Sequence, residues 1–310
     1  MTKHLALLCP GQGGQHARMF DVLGNASHAR VFLSEWSIEE KIAVPLDTAL
    51  NDVSALFSNR IAQPLIVAAT LATWQTLKPA LPSPAIVAGY SIGELSAYAV
   101  SGAITPPDAL SLAAVRARLM DSCANDTPQA LLAVSGMSLA SIADSAARAK
   151  LFIAIETGAD SAIVGGLREH ALAYEQELLK AGRTATLLPV GIASHTPLMT
   201  PAVTPFLEAL HRTPFTDPDH PVLAGVSSEV IRRKADAVST LARQLNETIR
   251  WKDCMDACAE AGVTIALELG PGAALSNMLR RAHPHIDCRS VTDFRSLEGI
   301  RKWVDRHFDE

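Results

Sequence analysis

The sequence predicts an α/β protein in two parts, a large subdomain around a parallel sheet and a small ferredoxin-like (βαββαβ) subdomain inserted into it. Apolar strands alternate with amphipathic helices over the first 127 residues, which is typical of a parallel sheet covered on both faces. Residues 128–192 follow the strand and helix order of the ferredoxin-like unit. Strands resume near Val222 and Ile265. We therefore assign residues 1–127 and 193–310 to the large subdomain and 128–192 to the small one.

Each element of the first part follows from its apolar pattern. Residues 4–9 predict a buried strand that ends at Pro10, and residues 63–77 predict a helix with an apolar face. The remaining predicted elements are a short buried strand at 85–88, a helix at 93–101 that stops at Gly102, and a helix at 107–123.

The inserted part shows shorter elements and clear turns. A Gly-Ala-Asp turn at 158–160 joins its second and third strands, and Gly182 stops its second helix. The predicted elements are strands at 131–135, 151–155, 161–164 and 184–190, with helices at 139–149 and 168–180. The cleft between the two subdomains is the expected ligand site.

Length and hydropathy agree with this division. A chain of 310 residues corresponds to roughly two domains of about 150 residues each. Hydrophobic residues make up 48% and the mean hydropathy is +0.17, yet the longest apolar runs are far shorter than the roughly 20 residues of a membrane span. The apolar excess therefore predicts a large core, and no membrane partner is expected.

Net charge and cysteine content argue against nucleic-acid binding and against a metal site. A net charge of −5 and an isoelectric point near 6.1 argue against a nucleic-acid surface. The five cysteines are scattered, and Cys254 and Cys258 lack a second pair or a nearby histidine, so no metal site is expected. The N-terminal apolar run is too brief for a signal peptide. We expect buried, reduced cysteines and a cytoplasmic protein.

The strongest chemical signal is the run Gly89-Tyr90-Ser91-Ile92-Gly93, which follows a predicted strand and opens a predicted helix. This context is that of a G-x-S-x-G nucleophile elbow, and it makes the large subdomain α/β-hydrolase-like. The sharp turn strains the backbone of Ser91, and flanking glycines avoid the resulting clashes. Ser91 is thus the candidate nucleophile, and the N–H of Ile92 is a candidate oxyanion donor.

A serine hydroxyl needs a base, and His195 is the leading candidate among the ten histidines. It directly follows the last strand of the inserted unit, so it lies at the seam of the two subdomains and faces the cleft. The glycine-rich loop from Pro10 to Gln15 leaves the first strand at the same sheet edge as Ser91. The N–H of Gln12 is therefore a second candidate oxyanion donor. The loop lacks the spacing of nucleotide-binding motifs.

These motifs resemble those of the malonyl-CoA:acyl-carrier-protein transacylases, and the resemblance runs nearly end to end. Within that family the sequence is most similar to the epsilon subunits of malonate decarboxylase. The matching runs are Gly11-Gln12-Gly13, Gly89 to Glu94, Val115 to Met120, Ser194 to Met199, Gln244 to Trp251 and Glu268 to Gly272. The subfamily match rests on Gly89 to Leu95, Gly191 to His195 and Arg289 to Leu297.

The resemblance implies a role for each site residue. Ser91 would be the nucleophile and His195 the base, with Gln12 and Ile92 as the oxyanion hole. Arg116 would bind the malonyl carboxylate, and Gln244 would help to orient the histidine without an acidic third member. Arg116 also stands out by itself, because its predicted helix is otherwise apolar and a guanidinium binds a carboxylate bidentately.

The resemblance also implies the reaction and its partners. Malonyl-CoA would be the donor, and the acceptor would be a phosphopantetheine-type group on an acyl carrier protein, the carrier subunit of malonate decarboxylase in the nearest subfamily. No permanently bound cofactor is expected. Tyr90 stands where fatty-acid-synthesis members usually carry histidine, and the stretch 155–160 lacks the asparagine usual in the family.

The sequence is also compatible with three alternative functions. The chain could serve fatty acid or polyketide synthesis instead of malonate decarboxylase. It could be a serine thioesterase or hydrolase, since such enzymes share the elbow; they usually place an acid between Ser and His, for which Asp160 is a weak candidate. It could also be a docking subunit that only binds the carrier.

Overall fold

The structure is a computed structural model that describes residues 3–21 and 26–308, with only the backbone for 26–29. Its strands form two separate sheets. In chain order the strands are β1 (Leu5–Cys9), β2 (Ile86–Gly89), β3 (Gln129–Ser135), β4 (Phe152–Gly158), β5 (Ser161–Leu167), β6 (Thr184–Leu187), β7 (Val222–Leu223), β8 (Val230–Ile231), β9 (Ile265–Glu268) and β10 (Asp287–Ser290).

Helices pack on both faces of each sheet. In chain order they are α1 (Ala26–Glu35), α2 (Ile38–Ile42), α3 (Leu46–Asn51), α4 (Val53–Phe57), α5 (Asn59–Leu77), α6 (Gly93–Val100), α7 (Pro106–Ser122), α8 (Leu139–Arg148), α9 (Arg168–Lys180), α10 (Thr200–Arg212), α11 (Lys234–Arg243), α12 (Trp251–Glu260), α13 (Ala274–Ala282) and α14 (Leu297–Phe308).

The larger sheet has the order β10-β9-β1-β2-β7-β8, and every neighbouring pair except β7 and β8 is parallel. The predicted parallel sheet is thus confirmed. Alternate residues of β1 enter opposite cores, with Leu7 on one face and Leu8 on the other. Cys9 at the end of β1 is in register with Gly89 at the end of β2. The loops that follow these two strands therefore leave the sheet side by side.

The smaller sheet has the order β4-β5-β3-β6 with antiparallel neighbours, which confirms the predicted ferredoxin-like unit. Helices α8 and α9 pack on it around a separate core that includes Leu132, Ile142 and Tyr174. The unit contacts the large part through a bridge between Ile155 and Ile249. Both sides of the expected cleft are therefore present in the fold.

Two predicted boundaries need correction, and the strand β10 was missed. Helix α5 begins at Asn59, four residues before the predicted start, because Ile61 and Ala62 also enter the core. The last strand of the small unit ends at Leu187 and not at residue 190, since Pro189 has no N–H to donate. The polar strand β10 gave no apolar signal and was not predicted. None of the helices in the described ranges is long and apolar enough to cross a membrane.

Candidate active site

The turn between β2 and α6 holds Ser91 in a left-handed backbone conformation, with φ 55°. Such a conformation is costly for a residue with a side chain and persists where the surroundings fix it. Gly93 supplies that constraint, because a Cβ there would overlap the carbonyl oxygens of Cys9 and Pro10. Helix α6 therefore packs directly against the end of β1 and presents Ser91 at the carboxyl edge of the sheet, as the motif predicted.

The structure brings Ser91 and His195 together across a sequence separation of 104 residues, with 2.8 Å between Ser91 Oγ and His195 Nε2. His195 Nδ1 lies 2.5 Å from the main-chain carbonyl oxygen of Gln244. Because a carbonyl only accepts, Nδ1 carries the proton and Nε2 is left to accept the Ser91 hydroxyl proton. This tautomer is the one that a general base requires.

Burial keeps this imidazole uncharged. His195 is 1% exposed, and its pKa is lowered to about 3, first by loss of solvent and then by the nearby Arg116 charge; the Gln244 carbonyl opposes the shift. A neutral imidazole at neutral pH is ready to take a proton. The positive charge of Arg116 disfavours the imidazolium, so a ligand anion that neutralises Arg116 raises the basicity of His195.

Arg116 projects from α7 into the same site and is 2% exposed. Its Nη1 donates to Gln63 Oε1 at 2.8 Å, and its Nη2 donates to Gln244 Oε1 at 3.1 Å and lies 3.4 Å from Ser91 Oγ. Among the described residues no carboxylate forms an ion pair with it. Burial lowers its pKa to about 10, so it remains a cation at neutral pH. A buried cation held by neutral amides is suited to bind an incoming carboxylate.

The glycine-rich loop after β1 lies against the elbow. A Cβ at Gly11 would stand 2.8 Å from the Tyr90 carbonyl oxygen and 3.6 Å from Ser91 Cβ, so only glycine allows this approach. Gln12 follows directly, and its Oε1 lies 3.5 Å from Gln63 Nε2. Within the described ranges, the backbone N–H groups of Gln12 and Ile92 have no hydrogen-bond acceptor. Both N–H groups are thus available as donors, and their role as the oxyanion hole stays a prediction.

Two polar residues of the site were missed from the sequence, Gln63 and Glu94, and both are fully buried. Gln63 lies on α5 and connects Arg116 with Gln12. Glu94 lies in the first turn of α6 and accepts from Gln244 Nε2 at 2.5 Å and from the Gly225 N–H at 3.1 Å. The available signal was a polar side chain within an otherwise apolar helix, the same signal that marked Arg116.

Glu94 allows a prediction of pH-dependent stability. Burial raises its pKa from 4.5 to about 7, against the opposing effects of Gln244, the Gly225 N–H and Arg116. The folded state therefore holds this proton more tightly than the unfolded state. The resulting stability is complete below about pH 4.5 and is lost as the pH rises through about 7.

Glu94→Gln has no such proton to lose. Between about pH 5 and about pH 8 we expect the free energy of unfolding of the unsubstituted protein to fall, relative to that of the variant, by up to about 3 kcal/mol. Urea unfolding of both proteins at the two pH values measures this difference. Parallel pH curves would contradict the raised pKa.

The other residues considered from the sequence lie elsewhere or have other contacts. Asp160, at the β4–β5 turn, pairs with Arg281 at 3.3 Å and does not contact His195. The Tyr90 ring packs edge-on against Trp251, with 5.2 Å between ring centroids. Arg118 is exposed, as expected for a surface arginine. Among the described residues there is no cluster of His, Cys, Asp and Glu that could hold a metal ion.

A histidine-paired serine on a strand–turn–helix elbow is typical of the class of enzymes that carry an acyl group on serine. Comparison with known proteins agrees with this class: the chain belongs to the acyl transferase domain family, whose profile matches residues 6–297. The protein is therefore an acyltransferase.

Individual relatives cover almost the whole chain. It is 32% identical over 304 residues to the malonyl CoA-acyl carrier protein transacylase of Mycobacterium bovis, an alignment that covers 96% of this chain and 99% of the relative. The protein of the same name from Bacillus subtilis is 26% identical, with 95% of each chain covered. The solved structure of the transacylase from Coxiella burnetii shares the fold, with a TM-score of 0.90 at 23% identity over 99% of this chain and 98% of that one.

Proposed function

We propose that this chain transfers a malonyl group from malonyl-CoA to a thiol of an acyl carrier protein, through a malonyl ester of Ser91. The observation that carries the proposal is the Arg116 guanidinium, 3.4 Å from Ser91 Oγ and held only by neutral side chains among the described residues. A thioester that reacts at Ser91 and also bears a free carboxylate supplies the missing negative charge. Malonyl-CoA is such a thioester, and the names of the relatives agree with it.

The first half-reaction uses the Ser91–His195 pair. Ser91 Oγ attacks the thioester carbonyl carbon while its proton passes to His195 Nε2. The C–S bond then breaks, the ester remains on Ser91, and the imidazolium returns the proton to the leaving sulfur of CoA. The malonyl carboxylate on Arg116 removes one cause of the low His195 pKa, so substrate binding strengthens the base as the proton is transferred.

The developing oxyanion needs donors that are not already engaged. The N–H groups of Gln12 and Ile92 have no acceptor among the described residues, and in this proposal they receive the negative oxygen of the tetrahedral intermediate. Gln244 orients His195 through its carbonyl oxygen. The carrier thiol then reverses the sequence: His195 takes its proton, sulfur attacks the ester carbon, and Ser91 Oγ leaves with that proton.

Hydrolysis is the alternative outcome at the same serine. A hydrolase of this type usually orients its histidine with an acidic residue, whereas His195 Nδ1 faces a main-chain carbonyl and Asp160 is paired with Arg281. These contacts favour transfer. The hydrogen-bonded network that joins Ser91, His195, Arg116 and Gln244 also argues against a subunit that only docks a carrier.

Incubation with malonyl-CoA and a carrier protein separates the three functions. We expect malonyl-carrier and free CoA in equal amounts, with little free malonate, because the carrier thiol takes the malonyl group from Ser91. Intact-mass analysis of the carrier and chromatography of malonate measure both products. Free malonate as the main product would indicate a hydrolase, and no turnover would indicate a docking subunit.

For the carrier, we propose that of malonate decarboxylase, whose prosthetic group is a modified dephospho-CoA and whose decarboxylation takes place on other subunits. Support comes from the sequence runs Gly89 to Leu95, Gly191 to His195 and Arg289 to Leu297. The alternative is a carrier of fatty acid or polyketide synthesis, and the acyl-carrier-protein transacylases among the relatives are equally compatible with it.

The two carriers can be compared directly as acceptors. With malonyl-CoA fixed, we expect kcat/KM for the malonate decarboxylase carrier to exceed that for a fatty-acid carrier by about tenfold or more, because docking and prosthetic group both differ. Steady-state transfer to each purified carrier measures this ratio. Equal values, or a preference for the fatty-acid carrier, would assign the chain to the alternative pathway.

A further inference from the structure

Glu94 is a buried carboxylate that the proposed reaction does not use. It is fully buried in the first turn of α6, only three residues after Ser91. Its Oε2 receives two hydrogen bonds, from Gln244 Nε2 and from the Gly225 N–H. Its Oε1 has no partner among the described residues. Burial of a carboxylate costs folding free energy. We therefore looked for a role of Glu94 in the neighbouring site.

The function follows from the amide that Glu94 contacts. The side chain of Gln244 meets three groups: Nε2 donates to Glu94 Oε2 and to the Ser91 carbonyl oxygen, and Oε1 accepts from Arg116. An amide has two orientations that differ by exchange of its oxygen and nitrogen. In the reverse orientation the NH₂ group would face the guanidinium, where donor would meet donor. On the opposite side, Glu94 Oε2 accepts from the Gly225 N–H and offers an acceptor to the Gln244 NH₂ group, and it therefore favours the orientation that anchors Arg116.

We propose that Glu94 is a positioning residue for malonyl selectivity, in which its Oε2 fixes the Gln244 amide and the amide in turn holds Arg116 toward the substrate carboxylate. This inference rests on the proposed malonyl transfer. It concerns the carboxylate end of the substrate, because hydrogen bonds join Glu94 to Arg116 through the Gln244 amide.

His195 is held independently of this contact. It binds the main-chain carbonyl of Gln244, and the Gln244 backbone is itself fixed at the end of α11 by its N–H bond to the Thr240 carbonyl at 2.9 Å. Loss of the Glu94 acceptor therefore leaves Gln244 Nε2 with only the Ser91 carbonyl oxygen and holds the side chain less firmly, while its main chain stays in place. The expected effect is a higher KM for malonyl-CoA with a smaller change in kcat.

The test compares malonyl-CoA with acetyl-CoA as donors for Glu94→Met, which keeps approximate volume and removes the acceptor. We expect the malonyl-to-acetyl ratio of kcat/KM to fall by about tenfold, mostly through KM for malonyl-CoA. Glu94→Gln retains a carbonyl oxygen at the position that receives both donors, so it should restore the ratio to within about threefold of the unsubstituted protein. If Glu94→Met does not fold, Glu94→Asp applies the same test, because its shorter carboxylate is withdrawn from Gln244.

Glu268→Met is the matched control. Glu268 is also fully buried and accepts from two N–H groups, those of Leu275 and Ser276 at the start of α13, without contact to Ser91, His195 or Arg116. We expect it to lower stability and leave the malonyl-to-acetyl ratio unchanged. A similar fall of the ratio in this control would mean that Glu94 acts only through general stability, which would overturn the inference.

A double-substitution cycle tests whether Glu94 acts through Gln244. The malonyl-to-acetyl ratio of kcat/KM for the double variant Glu94→Met with Gln244→Met should equal that for Gln244→Met alone. Without the Gln244 amide, no hydrogen bonds join Glu94 to Arg116. Additive losses would overturn the inference, as would an unchanged ratio in Glu94→Met. If the unsubstituted protein does not transfer malonyl groups from malonyl-CoA, the proposed function itself fails, and this outcome is visible before any variant is made.

Discussion

Ser91→Ala is expected to lower malonyl transfer by about four to six orders of magnitude. The reason is chemical: without Oγ no ester can form, and the short contact with His195 Nε2 has no proton to transfer. In the unsubstituted protein, incubation with malonyl-CoA should add the mass of one malonyl group. Intact-mass spectrometry of both proteins checks the adduct, and a coupled assay of CoA release checks the rate.

Ser96→Ala provides the matched control for this experiment. Ser96 is a fully buried serine on α6, the helix that follows the Ser91 turn, and its Oγ has no partner within the described part of the chain. Its removal should leave both adduct and rate near those of the unsubstituted protein. An adduct of unchanged yield in Ser91→Ala would remove Ser91 from the mechanism.

Arg116→Ala is expected to change the choice of acyl donor. The loss of a buried charge pair with the malonyl carboxylate costs about 2–5 kcal/mol, or about 30- to 5,000-fold in kcat/KM for malonyl-CoA. Acetyl-CoA has no carboxylate, and in the unsubstituted protein it leaves Arg116 without its counter-charge. Removal of Arg116 also removes one cause of the lowered His195 pKa. We therefore expect kcat/KM for acetyl-CoA to stay unchanged or to rise, while kcat/KM for malonyl-CoA falls by the factor given above.

Arg118→Ala and Arg116→Lys complete this comparison. Arg118 is an exposed arginine two residues further along α7, and its loss should alter neither donor. Arg116→Lys keeps the charge but not the planar fork that contacts Gln63 and Gln244, so it should recover only part of the malonyl rate. A malonyl-to-acetyl ratio that survives Arg116→Ala would contradict the carboxylate assignment.

The features of the candidate site that could be inferred from the sequence are those set by local geometry. The elbow is contained within five residues, and close backbone contacts require its glycines: Gly89 lies against the start of α6 and Gly93 against the end of β1. His195 could be placed because it follows the last strand of an inserted unit whose order was recognisable. The roles of Arg116 and Gln244 came largely from family resemblance, since their contact joins residues 128 positions apart.

The parts that could not be predicted depend on long-range contacts between polar side chains. Gln63 meets Arg116 across 53 positions, and Gln244 meets Glu94 across 150. The periodicity of the sequence does not identify such pairs. A buried polar residue in an apolar helix gives the same pattern with any hydrogen-bond partner. The same limit applies to β10, whose polar residues are defined as a strand only by pairing with β9.

A crystal soaked with malonyl-CoA tests the central claim most directly. We expect continuous density from Ser91 Oγ to a malonyl group, with the free carboxylate within hydrogen-bond distance of the Arg116 guanidinium. Malonyl density that begins at another residue, or a carboxylate that points into solvent away from Arg116, would contradict it.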